Sequence, residues 1–193
     1  MARACAAGLH LRSESQPLHY AYQTAEGCRR CCRSVFSRAH PLGPTLGPVL
    51  FQLPPRWKLN LDRLREFLAI LPARHKFSIE LRDESWNTAE VFDLLRRHNV
   101  ALCIHDWRER PWPTELTADF TYIRFHGSGT RYGGDYPQTQ LRQWADRIQS
   151  WRTRLFEAFV YFNNDIGGHA IRNAHTLREM LNCESQSDIA RAA

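Results

Sequence analysis

No stretch of this 193-residue chain approaches the roughly 18 consecutive apolar residues that a membrane span requires. The opening residues, Met1 to Gly8, carry one charge and lack the apolar core of a signal peptide, so no secretory leader is expected. Neither the GxGxxG nor the P-loop pattern of a nucleotide site occurs, and no HxH or HxxE spacing offers a preformed metal site. Cys28-x-x-Cys31 has zinc-knuckle spacing, but no second Cys/His pair at the usual distance completes four ligands. The expectation is therefore no metal, no nameable cofactor and no membrane association. By default the chain reads as a cytoplasmic protein. With 43% hydrophobic and 24% charged residues it can build a core, which excludes a disordered or fibrous chain.

The net charge of +6 invites a nucleic-acid reading, but its distribution weakens that reading. Residues 1–40 hold six Arg against Glu14 and Glu26, a balance of +4, which leaves +2 for everything after them. Cysteine is just as uneven, since Cys5, Cys28, Cys31 and Cys32 precede any periodic segment. Cys103 and Cys183 read as ordinary reduced thiols.

From Leu46 onward, strand and helix patterns alternate. Pro48 to Leu53 is β-rich and is closed by Pro54-Pro55. Asn60 is placed to cap a helix whose Leu61, Leu64, Phe67, Leu68 and Leu71 follow the 3.6-residue period. Lys76 to Arg82 is a second strand. Asn87-x-x-Glu90 reads as a capping-box-like start for a helix burying Val91, Leu94 and Leu95. Further strands are predicted over Val100–His105, Phe120–His126 and Ala158–Asn163. Helices are predicted from Gln138, with Leu141, Trp144, Ala145, Ile148 and Trp151 on one face, and over the Ala170, Ala174, Leu177 and Leu181 positions.

Such alternation means a parallel sheet covered by helices. An open doubly wound sheet competes with a closed barrel. Strands of the former read as continuous apolar runs. Here Gln52, Glu80, Arg82, His105, Arg124, His126 and Asn163 recur at parities that gather polar groups, which favours a TIM-type (β/α)8 barrel with a polar C-terminal mouth.

Four motifs then stand in order: Leu46-Gly-Pro-Val-Leu-Phe-Gln-Leu-Pro-Pro55, Ile79-Glu-Leu-Arg-Asp-Glu-Ser-Trp86, Tyr122-Ile-Arg-Phe-His-Gly127 and Tyr161-Phe-Asn-Asn164. With Tyr132-Gly-Gly and Ala170-x-x-Asn173-Ala174 they resemble the YecE-like family (domain of unknown function 72), over roughly Val35 to Leu181. The resemblance implies a single TIM-type barrel of bacterial and archaeal distribution, without an established activity. It implies as well that the five visible βα units are the fourth to eighth, since eight need ~250 residues. The family's Gly-Thr-Ser-Gly-Trp-like first strand and Val-Glu-Ile-Asn-like second strand do not occur. Residues 1–34 are accordingly expected to lie outside the fold, as a wrong-frame translation or an incorrectly assigned start, with a divergent extension as the alternative. Residues 35–183 form the partial barrel and 184–193 a polar tail.

Barrel enzymes place their chemistry at strand C-termini. Glu80 and Arg82, two residues apart, share a face and suggest a base beside an anion clamp, or an internal ion pair. Tyr122, Arg124 and His126 share another face. His126 is the acid/base candidate, with a structural histidine as the bland alternative, and Arg124 suits an anionic substrate or an internal charge. Asn163 and Asn164 suit substrate hydrogen bonding or an Asx turn. His105 shares the inner face, whereas Asp106 has the opposite parity. In Gly127-Ser-Gly-Thr-Arg-Tyr-Gly-Gly134, backbone N–H groups with Arg131 and Tyr132 suggest a phosphate loop, or else a flexible turn. Trp86, Trp107 and Trp112 near strand ends suit stacking on a ring or ordinary packing.

The favoured expectation is a hydrolase-like enzyme acting on a small anionic or phosphate-bearing ligand. In it, Glu80 and His126 are the acid/base pair, and Arg82, Arg124 and Asn163 position the ligand. One alternative is a nucleic-acid-binding barrel of endonuclease-IV-like geometry. Another is an inactive truncated fragment with two open sheet edges. Oligomeric state is not legible.

Overall fold

A computed structural model of the chain describes residues 46–106, 112–129 and 132–181, the backbone of Arg3 and Ala4, and the isolated positions Ser37 and Pro41. The strands are β1 (Arg3–Ala4), β2 (Val49–Gln52), β3 (Phe77–Glu80), β4 (Val100–His105), β5 (Phe120–Phe125) and β6 (Glu157–Phe162). The helices are α1 (Leu61–Ala69), α2 (Ala89–Arg97), α3 (Gln138–Ser150) and α4 (His169–Met180). All pairings are parallel, and helices follow β2, β3, β5 and β6, so the chain has an α/β fold. The described residues fall into two compact units that divide between Leu102 and Cys103, with β1 in the second.

In the first unit, β3 lies between β2 and the start of β4. Gln52 stands opposite Glu80, and Ile79 opposite Leu102. Asn60 caps α1 as its position predicts, accepting from the Arg63 N–H at 3.0 Å. The helix buries Leu64, Phe67 and Leu68 at i, i+3 and i+4, and Phe67 meets Phe51 edge-on at 4.9 Å. The cap of α2 corrects the sequence reading. Thr88, not Asn87, stands at the N-cap and accepts from the Val91 N–H at 3.4 Å. Asn87 instead ends a 3-10 turn over Glu84–Trp86, which shifts the helix start by one residue. Trp86 is also no stacking platform: it is buried in the core, and its indole N–H donates to the Trp57 carbonyl at 2.6 Å.

In the second unit the order is β1, β6, β5 and the end of β4. His105 stands opposite Arg124, and Arg124 opposite Tyr161. Leu141, Ala145 and Ile148 of α3 and Leu177 of α4 pack against Ile104, Ile123, Phe125 and Ala158. Trp151 lies just past the end of α3 as its C-cap, and Leu181 closes α4 in the same way. The helix spacing was therefore right in period, and its last apolar position lies one residue past the C-terminal end of each of these two helices.

The polarity alternation seen in the sequence is not an alternation in exposure. Every residue of β3 and β4 is buried, including Ser78, Glu80 and His105. Both faces are covered, and the buried polar groups must find partners within the protein. Those partners locate the candidate site.

Candidate functional site

In the first unit, Glu80 at the end of β3 is fully buried, and Arg82 two residues on folds back to it. Arg82 Nε donates to Glu80 Oε1 at 2.6 Å, and Nη2 donates to Gln52 Oε1 at 2.8 Å. The parity argument placed these groups on one face, and the register of Gln52 opposite Glu80 supplies the third member. Such a buried pair holds both side chains in one orientation, and breaking it leaves a buried charge uncompensated.

The second unit assembles four of the predicted residues at adjacent strand ends. His105 leaves β4 and His126 follows β5, and their imidazole centroids are 6.3 Å apart and nearly perpendicular. Both rings are buried, at 5% and 4% exposure. Trp112 lies against His105 at 4.6 Å, and Tyr132 meets His126 edge-on at 5.9 Å. Arg124 is the register neighbour of His105. With its amide oxygen turned toward the guanidinium, Asn163 accepts from Arg124 Nε at 3.3 Å and Nη2 at 3.2 Å. Beneath this layer Tyr122 and Tyr161 stack at 4.7 Å, and burial pushes the Tyr122 phenol well above its ordinary value, keeping it neutral.

Two residues left out of the predicted site hold this arrangement together. Asp106 and Tyr136 form a carboxylate–phenol pair in which the Tyr136 hydroxyl donates to Asp106 Oδ2. Asp106 Oδ1 accepts from the His126 N–H at 2.7 Å, and the Tyr136 oxygen accepts from the Gly127 N–H at 2.7 Å. Burial raises the Asp106 carboxyl, against the lowering effect of these hydrogen bonds. It also raises the Tyr136 phenol, with the Asp106 charge adding to that effect. Asp106 had been set aside because its parity opposes that of His105. Outside a regular strand parity no longer binds, and the two neighbouring side chains serve different purposes.

The Gly-rich loop is anchored at both ends. Tyr132 N–H returns to the His126 carbonyl at 2.8 Å, and Ser128 Oγ donates to the Asp135 carbonyl at 2.5 Å. Gly134 takes a φ of +85°, which favours glycine. Tyr132 has a φ of 60°, unusual for a large side chain. The N–H groups of His126 and Gly127, which could have cradled a phosphate, go to Asp106 and Tyr136. Arg131 lies outside the described residues, as do Trp107, Cys183 and the Cys28–Cys31 pair.

Asn164 reaches across to this loop. Its Nδ2 donates to the Gly134 carbonyl at 2.9 Å and to Asn173 Oδ1 at 2.8 Å. Asn173 in turn donates to Asp135 Oδ1 at 2.7 Å and accepts from the Tyr136 N–H at 3.3 Å. The Asn164 amide therefore ties the loop to α4, whose first residues have no side-chain cap bond. Its Oδ1 is buried with no hydrogen-bond partner among the described residues.

The family described as Protein of unknown function DUF72 matches residues 14–192. The chain belongs to that family. The match begins upstream of Val35, where the resemblance read from the motifs begins. A relative, the UPF0759 protein YunF of Bacillus subtilis (strain 168), is 28% identical over 170 residues. That alignment takes in 72% of this chain and 59% of the relative, so the chain spans under two thirds of that relative's length.

Solved structures of DUF72 proteins share the fold. One from Enterococcus faecalis gives a TM-score of 0.75 at 16% identity, covering 90% of this chain and 83% of its own. One from Thermotoga maritima gives 0.72 at 24% identity, covering 80% and 65%. Among the described residues no helix is long and apolar enough to cross a membrane. No group of three or more His, Cys, Asp and Glu among them could hold a metal ion.

Proposed function

We propose that this DUF72 chain supplies the fourth to eighth βα units of a TIM-type barrel. Its β4–β6 strand ends would bind a small anionic or phosphate-bearing ligand for hydrolase-like chemistry. The observation that carries this reading is the pairing of His105 and His126, 6.3 Å apart, beside an Arg124 guanidinium that Asn163 holds in place. Two imidazoles on the strand ends that also carry a cation suit proton transfer to and from an anion bound against them. Burial strengthens the attraction, because a guanidinium acts on an anion far more strongly at low dielectric than in water. His126 is the acid/base group, and Arg124 and Asn163 are the positioning groups. Asn164 Oδ1, a buried acceptor, suits a ligand N–H or O–H. In the other unit Glu80, held by Arg82, is a second acid/base candidate that is tested by itself.

A thermal-shift panel of phosphate esters and small carboxylates, run on wild type, His126→Ala, Arg124→Met and Glu80→Gln, tests the reading. A ligand at one hundred times its Kd should stabilise wild type by about 2.7 kcal/mol and leave Arg124→Met unmoved. Equal shifts in all four proteins would remove the assignment.

A further inference from the structure

We infer that Asp106 and Tyr136 are positioning residues that set the orientation of the His126 imidazole at the proposed anion site. The inference rests on that functional reading and adds residues that neither composition nor motif singled out.

The geometry carries it. Asp106 follows β4, and Tyr136 stands two residues before α3, so neither belongs to the strand they act on. Together they take two consecutive N–H groups at the exit of β5, His126 at 2.7 Å to the carboxylate and Gly127 at 2.7 Å to the phenol. The Tyr136 hydroxyl closes the ring by donating to the other carboxylate oxygen. Pinning both amides fixes the backbone on each side of the His126 Cα. Gly127 accordingly takes a φ of 125°, which L side chains rarely adopt. The Tyr136 ring is held in turn by Phe125 at 5.3 Å and Phe162 at 5.9 Å, and its N–H by Asn173. Charge-assisted hydrogen bonds to a carboxylate are the stronger kind, so the pair is suited to holding a main-chain position.

A loop clasp alone would not need a charged acceptor on the amide of the histidine itself. A catalytic imidazole does need its ring placed to a fraction of an ångström, and a clamp on its own amide and the next one fixes the Cα–Cβ direction from which the ring, met edge-on by Tyr132 at 5.9 Å, projects.

The decisive experiment follows the His105 and His126 imidazole 15N resonances of the full chain against pH, with inorganic phosphate as the anion probe. Wild type is compared with Tyr136→Phe, Asp106→Asn and Ile148→Ala. The last is a core truncation in α3 that loosens the unit without touching the clamp. Both clamp variants should move the His126 midpoint or tautomer balance and weaken phosphate roughly tenfold, about 1.4 kcal/mol. Ile148→Ala should lower the melting temperature yet leave His126 unchanged. The inference is overturned if His126 titrates identically in all four proteins, or if Ile148→Ala shifts it as far as the clamp variants do. Should wild type not bind phosphate while the clamp variants still move His126, the anion reading fails and the positioning role stands.

Discussion

Arg82 donates from Nε to Glu80 Oε1 at 2.6 Å, and the carboxylate it meets has no solvent exposure at all. A pair of this kind seldom raises stability above that of an apolar equivalent, but each partner is costly to remove alone. Arg82→Met should destabilise the chain by about 3–5 kcal/mol, because Glu80 then stays buried and uncompensated. Adding Glu80→Gln should recover part of that loss. Urea denaturation of the two singles and the double checks both statements, and additive losses would show that the residues do not act as a pair.

Two glycines of the same loop should respond in opposite ways. Gly134 has a φ of +85°, and a Cβ there would meet Ser128 Oγ at 3.0 Å and the Gly129 N at 3.4 Å. Gly134→Ala should therefore cost about 1–2 kcal/mol, the penalty an L side chain pays in the left-handed region. A Cβ on Gly129 meets nothing within 4 Å. Gly129→Ala should be neutral or should stabilise by about 0.4–1 kcal/mol through the unfolded chain. Thermal melts of both variants decide it.

Acid should act on three aspartates with opposite signs. Hydrogen bonds from Ser85 hold Asp83 below its ordinary value, and those of Asn173 hold Asp135 below its own. Each contributes stability that is present above the unfolded carboxylate pKa and is lost as pH falls through the lower folded value. Asp106 is raised by burial, so the folded state binds its proton the more tightly. Its contribution is fully present below the unfolded pKa and is lost as pH rises through the folded one. Asp83→Asn and Asp135→Asn should flatten the acid limb of the stability profile. In carboxyl 13C titrations, Asp106 should have the highest midpoint of the three. An Asp106 midpoint at or below the ordinary aspartate value would contradict this account.

The elements were legible because their signals are local. Asn60 before an i, i+3, i+4 apolar set predicts α1, and the unbroken run Val100–His105 predicts β4 to the residue. Even parity sufficed to bring Glu80 to Arg82 and Arg124 towards His126. What stayed hidden depends on long-range partners. Asp106 and Tyr136 are 30 residues apart, and nothing in either neighbourhood announces that they meet. Asn164 likewise looked equally suited to a turn or a ligand, and its tie to Gly134 and Asn173 appears only when the loop is folded against α4. The start of α2 shows the local limit, since Asn87 and Thr88 are both good caps and only the 3-10 turn over Glu84–Trp86 decides between them.

The most direct measurement is a phosphate titration of the full chain and of Arg124→Met, followed through the His105 and His126 ring resonances and the Arg124 Nε signal. Wild type is predicted to show saturable shifts at all three groups, with affinity falling at least tenfold in Arg124→Met. Shifts confined to exposed arginines, or identical curves in the two proteins, would contradict an anion site at the ends of β4, β5 and β6.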